Sequence, residues 1–379
     1  MNETEFWWQK KREQLLNIAA ENLNAYVYDL DTIELAVREI SSLNSVSRVL
    51  YAVKANFNTD VLRRLADSGA DFDCVSPGEV SRLLDVIPNL DVSRILFTPN
   101  FSPRQEYEWA IEQGIRLTLD SLYPLQEWPE LFAGRELLIR IDPGAGQGHH
   151  AHVTTAGSHS KFGVSRTEVA ELVGLVKKSD AKVIGIHAHA GSGILDPGNW
   201  QAVARELVKV ARSFPDARIL DLGGGIGVPE KPGDEAFDLV ALDKMLLEFL
   251  SEHPNFELWL EPGRFLVSAA GVLLAHVTQV KGKDDSKYVG ISTGINSLIR
   301  PALYDAYHEI VNLSRLSEAA SESVSVVGPI CETGDQLGSD RLLPPSREND
   351  VVLIANAGAY GQVMSSRYNL RDVPPEISI

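Results

Sequence analysis

Between residues 48 and 261, short β-branched or apolar runs alternate with segments whose apolar positions recur at i, i+3 and i+4. The runs 48–54, 71–76, 95–99, 116–120, 137–142, 183–190, 218–223 and 257–261 read as strands. The segments 59–68, 77–86, 103–113, 166–178, 199–213 and 238–251 read as helices. Such alternation implies parallel strands joined by right-handed crossovers. Eight strands is the number that closes a (β/α)₈ barrel, with an open doubly wound sheet as the rival.

After residue 265 the pattern changes. LVSAAGVLLAHVTQVKG, KYVGIST, VSVVGPICE and VVLIANAG read as strands without regular helices between them, apart from a helical stretch over 303–316. The expected organisation is α/β: a helical extension over 1–24, a (β/α)₈ barrel over 25–264, and a mainly antiparallel β domain over 265–379. The strand 25–28 precedes the eight and is expected to pair with the β domain. The opening segment is an amphipathic helix with Phe6, Trp7, Leu15 and Leu16 as its apolar residues, suited to packing on the body of the protein.

Composition narrows the partners. Across 379 residues, Asp and Glu number 52 against 35 Lys and Arg, a formal charge of −17. A surface this acidic is a poor match for nucleic acid or an anionic membrane, although a small anionic ligand needs only a few placed donors. Hydrophobic residues are 44% of the chain, enough for a large core, yet no apolar run reaches the length of a membrane span. Cys74 and Cys331 are too few for a disulfide framework and point to a reducing compartment, with the cytoplasm as the expected location.

Side chains at the C-terminal ends of barrel strands converge on one face, where active sites lie. Here those ends hold Lys54, Ser76, Asn100, Asp120, Arg140, Asp142, His189, Gly223 to Gly225 and Glu261. Lys54 closes VLYAVKAN, either as a snorkelling lysine or as an amine of lowered pKa able to form a Schiff base. The run DLGGGIG offers bare backbone N–H groups for a phosphate or makes an ordinary tight turn, and it lacks dinucleotide-fold spacing. Glu261, in EPGR, needs a partner at that depth: Arg264, or a proton on a ligand's ring nitrogen. His187 and His189 share a strand face, but no third ligand lies nearby at zinc-like spacing, so no metal is expected. The loop 143–163 is long and rich in Gly, His, Ser and Thr, as lids and ligand clamps are.

In order along the chain, YAVKAN, DCVSPGEV, GHHAHVTTAG, SKFG, HAHAGSG, LGGGIG, EPGR, LIRPALYDAYH, CETGD and AGAYG resemble the pyridoxal-phosphate enzymes of the alanine-racemase fold group. Within that group the chain is most similar to the diaminopimelate decarboxylases. GHHAHVTTAG, IRPALYDAYH and the Cys-Glu pair of CETGD carry that distinction, since ornithine decarboxylases have aspartate after the cysteine.

The resemblance implies pyridoxal 5'-phosphate as cofactor and decarboxylation of meso-2,6-diaminopimelate to L-lysine and CO₂, the last step of lysine biosynthesis. It implies Lys54 as the Schiff-base lysine, His189 stacked on the cofactor ring, and Ser192 with Gly223, Gly224 and Gly225 at the phosphate. Glu261 would partner the pyridine nitrogen, with Gly263 and Arg264 completing that turn. Arg264, Arg300, Tyr304 and Glu332 fall at substrate-contacting positions, and Tyr360 at one touching cofactor and substrate. Cys331 falls at the proton donor, supplied across the interface of a homodimer with shared sites. The alternatives are a decarboxylase of ornithine, lysine or arginine, a non-catalytic pyridoxal-phosphate carrier, and a structural barrel.

Two departures stand out. Gly193 replaces the glutamine of the usual HVGSQ motif. The chain also stops early, at NLRDVPPEISI, so a last element of the β domain is expected to be missing or replaced. Some relatives are fused to aspartate kinase, and the short ends are compatible with the decarboxylase part of such a fusion.

Overall fold

The structure, a computed structural model, describes residues 6–144, 160–231 and 233–379. The first strand, β1 (Asn24–Tyr28), pairs with strands from the C-terminal part of the chain. The next eight close into a parallel barrel in sequence order: β2 (Val46–Ala52), β3 (Asp71–Cys74), β4 (Ile95–Phe97), β5 (Arg116–Leu119), β6 (Glu136–Arg140), β7 (Lys182–His187), β8 (Ile219–Asp221) and β9 (Glu257–Leu260). All eight expected strands are present, and each ends one to three residues before the expected C-terminal boundary. The residues released there turn over the barrel mouth: Lys54, for instance, lies in a 3₁₀ turn, Val53–Ala55, beyond β2.

The helices between the strands obey their apolar period and their caps. Pro77–Val86 starts at Ser76, whose Oγ accepts the Glu79 N–H, while the Glu79 carboxylate accepts the Val75 N–H at 2.8 Å. Thr59–Asp67 starts at Asn58, whose side chain accepts from Asp60 and Val61 N–H groups.

Beyond the barrel come β10 (Gly271–Lys283), β11 (Ser286–Ile291), β12 (Ile310–Asn312), β13 (Glu322–Val327), β14 (Gln336–Leu343), β15 (Val351–Ile354) and β16 (Glu376–Ser378). The long β10 pairs antiparallel with β1, β11 and β15, while β11–β13 and β1–β16 are parallel. The sheet is therefore mixed and mostly antiparallel. Trp8, Leu15 and Ala19 pack with Val27, Val272, Leu274 and Leu353 in one apolar cluster, so the N-terminal helices cover this sheet. Trp7 Nε1 donates to Ala269 O at 2.8 Å, while Phe6 stays 61% exposed and does not join that core.

The chain divides into two compact units: Leu35–Val228 with Ala236–Phe265, and the chain up to Glu34 with Pro229–Glu235 and Leu266–Ile379. The barrel unit thus starts at Leu35 rather than at residue 25, because β1 is zipped to β10 and β16. The helix expected over 303–316 is only Arg300–Tyr304. Asp305, left-handed at φ 52°, ends it, and Ile310–Asn312 then alternates in burial as a strand paired with β15. No helix among the described residues is long and apolar enough to cross a membrane.

Candidate active site

Leu50, Leu96, Leu138, Ile184, Ile219 and Trp259 form one buried cluster. They come from strands on opposite sides of the ring, so the cluster is an interior layer of the barrel. Below it, the Arg48 guanidinium lies 4.6 Å from the Trp259 ring centroid and pairs with Asp71 at 2.5 Å. Side chains two residues further along a strand share its face. The layer above the cluster therefore holds Ala52, Thr98, Arg140, Ile186, Asp221 and Glu261, all buried and four of them polar or charged. Period two carries β4, β6, β8 and β9 from an apolar floor to a polar mouth, whereas β7, whose pairing with β6 carries a register shift, brings His187 to Glu261.

Glu261 is 6% exposed, and its Oε2 lies 3.0 Å from His187 Nε2. Burial pushes its carboxyl up, but the charge and hydrogen bond of His187, with Lys54 and His189, pull it down to about 2. It stands as a carboxylate. Its other oxygen, Oε1, is buried and takes no partner in the hydrogen-bond pattern of the described residues. Asp221 is driven the opposite way, well up, by burial and by the charge of Glu261. Its Oδ1 accepts the Gly223 N–H at 3.0 Å. His187, Asp221 and Glu261 place one ligand atom each within 4.8 Å of the others. Ionising Asp221 for a cation there would work against the burial that drives its carboxyl up. The histidines at 149, 150, 152 and 159, and most of the expected clamp over 143–163, lie outside the described residues.

Lys54 Nζ sits 3.2 Å from Asp73 Oδ2. The lysine side chain is 44% exposed and the aspartate 2%, so the amine stands in the open mouth and is not desolvated within the core. Asp73 was not singled out from the sequence. Its burial raises the carboxyl, as does Glu261, while Lys54 pulls it back. On the neighbouring wall Arg140 lies 3.5 Å from Asp120 and 4.4 Å from the Phe162 ring centroid. Asp120 also accepts from Asn100 Nδ2 and from the Gly163 N–H. The SKFG segment is thereby fastened to the barrel rim.

The Gly223–Gly225 turn needs glycine for reasons of space and backbone. Gly223 and Gly225 have φ of 67° and 98°. A Cβ on Gly224 would lie 2.2 Å from Glu261 O, and one on Gly225 would lie 2.3 Å from Gly191 O. Gly224 N–H donates to His189 Nδ1 at 3.1 Å. Burial, with Arg140 and Lys54 nearby, lowers the His189 pKa to about 3, so its ring is neutral and can accept that bond. Arg264 NH2 donates to Ser192 Oγ at 3.4 Å, which sets a guanidinium beside a hydroxyl. Arg264 does not take Glu261 as its partner in the hydrogen-bond pattern; His187 does.

These groups fit pyridoxal phosphate: an accessible amine, a buried carboxylate oxygen awaiting a donor, a neutral imidazole, and a glycine turn with a cation and a hydroxyl. The remaining predicted site residues belong to the sheet unit. Arg300 is 1% exposed; its NH1 donates to His308 Nε2 at 3.0 Å and its NH2 to Glu230 Oε1 at 3.4 Å. Tyr304 closes the helix Arg300–Tyr304, and Tyr360 holds a left-handed backbone at φ 56°. Cys331 is exposed, unlike Cys74, and beside it the exposed Glu332 accepts from Tyr368.

Residues 30–268 match the family described as "Pyridoxal-dependent decarboxylase, pyridoxal binding domain". Fold and site together define a pyridoxal-phosphate-dependent decarboxylase. The chain is 37% identical over 354 residues to the diaminopimelate decarboxylase of Methanothermobacter thermautotrophicus, covering 90% of this chain and 82% of that one. It is 33% identical over 385 residues to the Escherichia coli K12 enzyme of the same name, covering 96% and 91%. The crystal structure of Helicobacter pylori diaminopimelate decarboxylase complexed with L-lysine superposes with a TM-score of 0.88 at 31% identity, covering 97% and 93%. The chain belongs to the diaminopimelate decarboxylase family.

Proposed function

We propose that this chain decarboxylates meso-2,6-diaminopimelate to L-lysine and CO₂ as a cytoplasmic homodimer, closing lysine biosynthesis. The observation that supports it best is the His187-held Glu261 carboxylate, with an open buried oxygen, in the same barrel mouth as Lys54 and the glycine turn. Bound pyridoxal phosphate supplies the electron sink for the pair released when the Cα–carboxylate bond breaks. Lys54 offers the amine that anchors the cofactor's aldehyde carbon, and Asp73 keeps that amine in place. Glu261 accepts the pyridinium N–H and holds the proton there, with His187 fixing its orientation. His189 presents a neutral ring to the cofactor face. Ser192, Gly223, Gly224, Gly225 and Arg264 would bind the phosphate end, with Gly263 in the EPGR turn, and Tyr360 keeps the cofactor- and substrate-touching role that the resemblance implies.

Substrate recognition follows from its far end, which carries a carboxylate and an ammonium together. Arg264 and Arg300 donate to carboxylates, Tyr304 and Tyr360 add hydroxyls, and Glu332 accepts from the ammonium. Cys331, from the partner protomer, delivers the proton to Cα. The test is CO₂ release from meso-diaminopimelate, ornithine, lysine and arginine. Diaminopimelate should be preferred, and Arg300→Ala should lower kcat/KM for it by about 100-fold or more with cofactor occupancy preserved. Preference for ornithine or lysine, with Arg300→Ala harmless, refutes the substrate assignment.

A further inference from the structure

The loop that carries Cys331 and Glu332 is fixed from two sides within the sheet unit. From inside, buried Asp335 accepts the Ile330 N–H at 2.6 Å and the Ile295 N–H at 2.7 Å. Gly294 and Gly328 admit that carboxylate so closely that a Cβ on either would approach its oxygens to 2.2 and 2.4 Å. From outside, the turn Tyr368–Leu370 reaches the loop twice. Asn369 Oδ1 accepts the Cys331 N–H at 2.8 Å, and the Tyr368 hydroxyl donates to Glu332 Oε1.

That turn is conformationally costly. Asn369 and Leu370 both have left-handed backbones, at φ 54° and 55°. Asparagine tolerates this region, but leucine does not favour it. Leu370 is also 94% exposed, so burial does not offset the strain. Beyond its own backbone bonds, Leu370 N–H to Arg367 O and Arg371 N–H to Tyr368 O, the turn makes the two hydrogen bonds to the Cys331–Glu332 loop, which a relaxed coil would not reproduce.

We infer that Tyr368 and Asn369 are positioning residues: Asn369 sets the backbone at Cys331, and Tyr368 sets the rotamer of Glu332. This rests on the catalytic and substrate roles proposed above for those two residues. The phenol suits its part, because its bond to Glu332 raises the Tyr368 pKa and keeps the hydroxyl a donor.

The holoenzyme tests this with Cys331 as its own reporter, since the only other cysteine, Cys74, is buried. Asn369→Gly keeps the left-handed backbone but removes the acceptor. It should lower kcat about tenfold and change the rate of Cys331 alkylation by N-ethylmaleimide at least about threefold, without lowering Tm. Asn369→Asp restores the acceptor and should restore both readouts. Tyr368→Phe should raise KM for meso-diaminopimelate about fivefold, with kcat little changed. Wild-type behaviour of Asn369→Gly and Tyr368→Phe, while Cys331→Ala and Glu332→Gln are inactive, overturns the inference alone. Normal turnover in Cys331→Ala and Glu332→Gln overturns the roles of those residues and the inference with them.

Discussion

His187 Nε2 and Glu261 Oε2 lie 3.0 Å apart in the buried layer of the barrel, each contributed by the C-terminal end of a different strand. The bond leaves Glu261 one oxygen for a ligand and fixes where it points. Glu261→Gln keeps the size and the contact to His187 but loses the charge. It should retain cofactor binding and lose about 100-fold or more in kcat, whereas His187→Phe should broaden the cofactor's absorption band and weaken its binding. Absorption spectra and steady-state kinetics on both variants check this. Full activity in Glu261→Gln would remove the carboxylate from the proton-holding role.

Lys54 stands in the barrel mouth beside Asp73. Borohydride treatment of the holoenzyme should fix the cofactor to the peptide containing Lys54, and Lys54→Ala should abolish that attachment. Mass mapping that finds the label on another lysine would contradict the assignment.

Lys54 and Cys331 lie in different units of the chain, and the dimer proposal assigns them to opposite protomers at each site. Mixing inactive Lys54→Ala with inactive Cys331→Ala should regenerate up to about a quarter of wild-type activity once subunits exchange, because only mixed dimers hold one intact site. A fully active monomer in sedimentation would dispose of the shared site.

His189 gives a pH signature. Its folded pKa is lowered to about 3 by burial, with Arg140 and Lys54 adding to the shift. Its contribution to stability is therefore whole above the unfolded value near 6.5 and is lost as pH falls from there towards 3. The apoprotein Tm should drop between pH 7 and pH 5, and His189→Asn should flatten that slope. An unchanged slope in the variant would mean another group dominates.

Gly225 has φ of 98° and would place a Cβ 2.3 Å from Gly191 O. Gly225→Ala should therefore distort the turn and weaken pyridoxal phosphate binding at least about tenfold, measured by cofactor titration of the apoprotein. Retention of wild-type affinity would show that the turn does not shape the phosphate site.

The sequence by itself determined the eight strands and the residues at their C-terminal ends. Eight apolar runs separated by helical-period segments match the strand number of a closed parallel ring, which the structure bears out over an open doubly wound sheet, and Lys54, His189 and Glu261 are legible because each ends such a run. Tertiary structure alone decided who pairs with whom. Asp73 reads as an acid in a short strand, yet the parallel register of β2 on β3, with Ala52 opposite Asp73, brings it to Lys54. Glu261 finds His187 rather than Arg264, because β7 and β9 flank β8 and project both side chains inward. The stretch after Arg300 reads as helix, but the left-handed Asp305 and the pairing of Ile310–Asn312 with β15 override its local period. Strand and helix periods are local and survive in the sequence; register, ring closure and the sharing of buried charge depend on residues brought together from separate strands.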